Sequence, residues 1–103
     1  MGLLDLSIRV KVLGGVKVYD NAITDCNDRL NITGIAVDFF SSVEPTNMPP
    51  SATSHYSIML TVGKYKSSYP HAFQIWIDHK AYAAYRIHYD NNANKSWKTI
   101  STE

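Results

Sequence analysis

Cysteine occurs once, as Cys26, so the chain can form no disulfide within itself. At 103 residues it can bury a core without that staple or a structural metal. No apolar run approaches the ~18 to 20 residues of a membrane span. An excess of charge of one sign is missing too. Lys and Arg number 10 against 9 Asp and Glu, a net charge of +1, which gives no electrostatic reason to expect duplex nucleic acid or an anionic membrane as partner. Residues 1–13 (MGLLDLSIRVKVL) carry Asp5 and Arg9 where a signal peptide would be apolar, and Leu6 stands where myristoylation expects Ser or Thr. A soluble, cytoplasmic chain is expected. The triplets beginning at Asn31 and Asn94 fit the glycosylation pattern but matter only in a secreted protein. With no internal repeat and no linker, residues 1–103 read as one β domain.

What is present is alternation. Hydrophobic residues make up 45% and charged residues 18%, a globular rather than a disordered balance. Leu4, Leu6, Ile8, Val10 and Val12 alternate with polar residues, the period-2 pattern of a strand with one buried face. Residues 16–19 continue it after Gly14-Gly15. A three-residue loop over Leu13, Gly14 and Gly15 pairs Val12 with Val16 and Val10 with Val18, and puts Gly15 in the left-handed position. Residues 21–31 (NAITDCNDRLN) have turn composition, with one helical turn around 24–30 as the alternative. A third strand is expected over 32–43, and a long surface loop over 44–54, where Pro45, Pro49 and Pro50 exclude helix and central strand. Residues 55–62 alternate as a fourth strand closed by Gly63. After the turn-forming 90–95, residues 96–101 make a last strand, with the direction of Trp97 open.

Residues 73–87 (FQIWIDHKAYAAYRI) admit two readings. As a helix they would set Ile75, Trp76, Ile77, Tyr82, Tyr85 and Ile87 on no single stripe. As a hairpin turning near 79–81 they pair Ile77 with Ala83, Ile75 with Tyr85 and Phe73 with Ile87, all apolar and all on one face. The hairpin is favoured, although Ala81, Ala83 and Ala84 are weak strand formers and the turn has no glycine. The whole reads as all-β, an antiparallel meander of six to seven strands in a sandwich or small barrel, with one short helix as an option.

In that hairpin Gln74, Trp76, Asp78, Tyr82, Arg86 and His88 share the face opposite the expected core. Trp and Tyr supply flat apolar area with a polar tip, and Arg86 a planar donor fork. Gln74 and Asp78 can orient hydroxyl groups. Such a face suits stacking of a base or sugar ring, or contact with a protein.

His55, His71, His79 and His88 have neither the spacing nor the cysteine company of a zinc site. Asp20, Asp25 and Asp28 do not follow the ligand order of a calcium loop. Neighbouring carboxylates should raise the Cys26 pKa, so it makes a poor nucleophile. Gly14-Gly15 closes a hairpin rather than opening a helix, so it is no phosphate cradle. Neither metal nor cofactor is expected.

The leading expectation is a non-enzymatic, homo-oligomeric binding protein that holds a small polar ligand, nucleotide-like or saccharide, on Gln74, Trp76, Asp78, Tyr82, Arg86 and His88. The alternative is an inhibitor or adaptor that covers a partner protein. A hydrolase using His and Asp ranks last, for want of a nucleophile and base pair.

Overall fold

The alternating segments fold as strands. The computed structural model describes residues 15–65, 71–89 and 96–100. Its elements are β1 (Val16–Asp20), a 3-10 turn (Cys26–Arg29), β2 (Gly34–Phe40), β3 (Ser57–Lys64), β4 (His71–Asp78), β5 (Ala83–Tyr89) and β6 (Lys98–Thr99). All six strands join one sheet in sequence order. β1 runs parallel to β2, and every other neighbouring pair is antiparallel. The all-β class is as expected, and β2 to β6 form the antiparallel meander, but the expectation of antiparallel pairing throughout fails at β1, because residues 21–33 return the chain to run alongside it. Among the described residues the strands form one open sheet in place of a sandwich or a closed barrel, and the layer over one of its faces is irregular chain. The strand expected over 4–12 and its pairing with 16–19 lie outside the described residues, while Gly15 has the left-handed φ of 81° that the loop demands.

The hairpin reading of 73–87 holds residue for residue: Phe73 pairs with Ile87, Gln74 with Arg86, Ile75 with Tyr85, Trp76 with Ala84 and Ile77 with Ala83. The turn closes without glycine because Ala81 takes φ 66° and donates its N–H to the Asp78 carbonyl at 3.0 Å. Glycine is required at Gly63 for a different reason. A Cβ there would lie 2.8 Å from the Ile32 carbonyl oxygen and 3.1 Å from that of His71, so the strand passes through this position to Lys64 only with a bare backbone.

Residues 21–33 carry the chain from the end of β1 back to the start of its parallel neighbour, and 41–56 lead from β2 to β3. Both segments pack on one face of the sheet. They bring Ile23, Cys26, Val43, Met48 and Ala52 against Phe40, Met59 and Trp76, which is the core. The 3-10 turn forms inside the segment expected to be a loop. It is capped by Asp25, whose carboxylate accepts from the Asn27 N–H at 2.9 Å. The proline segment is more than surface loop, since Pro45 and Pro49 are buried.

Candidate functional site

The two faces of the sheet have opposite characters, and the covered one is the polar one. Trp76, Gln74 and Ala84 are fully buried, and Asp78, Arg86 and His88 nearly so, while Tyr82 is half-buried. The expectation that these six side chains meet solvent is therefore corrected. They do share a face, as the register required, but residues 21–33 and 41–56 lie over it. The cover is irregular chain, and its backbone groups need partners that a purely apolar strand face could not offer.

Each side chain meets that need in a definable way. The Gln74 amide donates to the Cys26 carbonyl at 3.0 Å and to the Thr61 hydroxyl at 3.1 Å, and its oxygen accepts from Arg86 Nε at 2.7 Å. The Arg86 guanidinium lies 4.5 Å from the centre of the Trp97 ring, and Trp97 Nε1 donates to the Asn47 carbonyl at 2.8 Å. Trp97 thus points into the covered side. Trp76 stacks on Phe40 with ring centres 5.8 Å apart and meets Trp97 edge-on at 6.5 Å. Its buried Nε1 has no hydrogen-bond partner among the described residues. The Tyr82 hydroxyl lies 2.9 Å from that of Thr99.

Asp78 organises two chain segments at once. Its carboxylate accepts from the Thr53 N–H and hydroxyl, from the Ser54 N–H, and from the N–H groups of Lys80 and Tyr82 in the β4–β5 turn. Burial alone would raise its pKa, but the bonds from Thr53, Tyr82 and Lys80 outweigh burial and hold it below the ordinary carboxylate value. Cys26 is pushed up to about 12, by burial first and by Asp25, Asp38 and Asp28 in addition, against the opposing pull of Arg86. Burial thus adds to the rise expected from the neighbouring carboxylates alone.

One ion pair escaped sequence reasoning. Arg29, in the 3-10 turn, donates to both oxygens of the buried Asp38 on β2 at 3.0 Å, with its guanidinium 3.8 Å from the centre of the Tyr19 ring. The hydrogen bond to Asp38 leads in raising the Arg29 pKa, against burial. An Asp inside an otherwise apolar strand was the available signal. The four histidines remain dispersed. His55 contacts the Ser41 carbonyl and Glu44, His71 packs on Tyr89, His79 on Tyr56, and His88 is buried on β5. No group of three or more His, Cys, Asp or Glu side chains that could hold a metal converges among the described residues.

The open face carries the apolar set. Val16 and Val18 on β1 align with Ile35 and Val37 on β2, and these with Val62 and Leu60 on β3. The rows continue through Phe73, Ile75 and Ile77 on β4 to Ile87, Tyr85 and Ala83 on β5. Val18 is 66% exposed, Ile87 56%, Val16 53% and Ile77 51%, against zero for Trp76 on the opposite face of the sheet. Among the described residues, charge on this face is confined to its margins, with Asp20 at the end of β1, Lys64 and His71 at one end of β3 and β4, and Lys98 on β6. Between Val62, Phe73 and Ile87 the surface dips into a concavity of about 410 Å³. No helix among the described residues is long and apolar enough to cross a membrane. No protein-family model matches the chain, and neither the curated proteins nor the solved structures contain a match to it.

Proposed function

We propose that this chain is a non-enzymatic binding protein that acts by covering a partner protein with the open face of its sheet. The observation that carries the reading is the unbroken apolar field running from Val16 and Val18 across all five long strands to Tyr85 and Ile87. Isolated apolar side chains at a surface need no explanation, whereas a contiguous field framed by charge marks an interface. Five strands spaced ~4.8 Å apart and about 23 Å long frame roughly 550 Å² in projection, the upper end of what a monomer exposes. The partner that fits is a protein surface of matching flatness and apolarity. Weighing against a small polar ligand on the opposite face is prior engagement: the Gln74 amide, the Asp78 carboxylate and Arg86 Nε already bond to the chain's own groups.

The test is a photo-reactive phenylalanine analogue placed at Ile75, in the middle of the open face, and at Lys80, in the exposed β4–β5 turn, in the cells that make the protein. Discrete protein adducts from position 75 and none from position 80 are expected. A chain that yields none from position 75 overturns the reading.

A further inference from the structure

The open face has a shape and size that suit one occupant in particular. We infer that the partner is a second copy of this chain, packed face to face through β1–β5 so that two open sheets close into one sandwich. The inference rests on the open-face interface proposed above and names what covers it.

Two observations lead there. Sheets stack about 10 Å apart with strands aligned to within about 30°, and the best match to a twisted, pleated surface of alternating Val, Ile, Leu and Phe is another of the same twist. Area agrees: about 550 Å² of projected face per copy gives more than 1,000 Å² across both copies, the size at which specific association separates from casual contact. A two-fold axis along the strands lays the β1 side of one copy over the β6 side of the other. Leu60, on the central strand, then lies near the axis and faces its own copy.

The test combines mass and cross-linking on the full chain. Sedimentation equilibrium at micromolar concentration should give twice the chain mass for the wild type, and Ile75→Lys should give the single-chain mass with its β-type circular dichroism retained. Since Ile75→Lys could lose the fold outright, a second variant leaves the core intact: Leu60→Cys should be joined to its own copy by a bis-maleimide that spans about 10 Å, the separation of stacked sheets, while the wild type, whose Cys26 is buried, should not be linked. A single-chain mass throughout together with an unlinked Leu60→Cys overturns the second copy as occupant. So does capture of Leu60→Cys by a cysteine introduced at Ile8 in its own chain, which would make residues 1–14 the cover. Adducts from position 75 to a different protein would then preserve the open face as an interface, and their absence would remove that reading too.

Discussion

Gln74 and Arg86 face each other across the β4–β5 ladder, and the guanidinium Nε gives its hydrogen to the Gln74 amide oxygen at 2.7 Å with both side chains enclosed. The amide's other end ties the same pair to the Cys26 carbonyl in the covering chain. Gln74→Leu removes the acceptor of a charged donor and the donor of a buried carbonyl together. It should cost about 1.5–3 kcal/mol, the range for hydrogen bonds to charged groups. Urea denaturation of the two proteins, compared at equal slope, measures this directly.

Asp78 makes stability depend on acid. Its folded-state pKa lies below the ordinary 3.8, so its contribution is complete above that value and disappears as the pH falls through the lower folded-state pKa. Thermal melting of the wild type should therefore show a loss in midpoint at acid pH that is smaller in Asp78→Asn, whose midpoint is already reduced near neutrality. Equal acid loss in both proteins would assign the effect to other carboxylates.

Ala81 holds φ 66° in the β4–β5 turn, a left-handed conformation that strains any residue with a Cβ. Ala81→Gly removes the strain and adds some freedom to the unfolded chain, for a net gain of about 0.5–1 kcal/mol. A raised melting midpoint is expected, and a lowered one would show the turn to be relaxed with alanine.

Cys26 is buried and its thiol is pushed up to about 12, so almost no thiolate exists near neutral pH. A chromogenic disulfide reagent should leave the native protein unmodified and react fully once denaturant is added. Rapid labelling of the native chain would mean that residues 21–33 open readily.

How much of this was legible in the sequence depends on which question is asked of it. The β4–β5 register was legible because two alternations, around Ile75 and around Tyr85, meet in only one way that keeps like with like. Which face is covered was not. Polarity argued that Gln74, Asp78 and Arg86 belong in water, and that holds when the second layer is another sheet with its own hydrogen bonds already made. Here the second layer is irregular backbone around Cys26, Asn47 and Thr53, whose carbonyl and N–H groups reach inward and are met by those side chains. The available hint was in the covering segments, where Ile23, Leu30 and Met48 sit among turn residues with too little reason to be on a surface. The parallel placement of β1 left no local trace, since no short-range pattern distinguishes a strand that pairs across a long return from one that turns directly into its neighbour.

That return has a bearing on how the molecule assembles in time. The two long connections, 21–33 and 41–56, precede β3, while β4 passes to β5 through residues 79–82 alone. Closing a short loop costs less chain entropy than closing a long one, and pairings that need distant segments form slowly. The β4–β5 hairpin is thus the part of the sheet that closes most readily, and the β1–β2 ladder can form only after the chain between the two strands has been laid back along β1. Synthesis delivers these parts in the reverse order: β1 emerges before β2, and their parallel ladder cannot form until β2 follows.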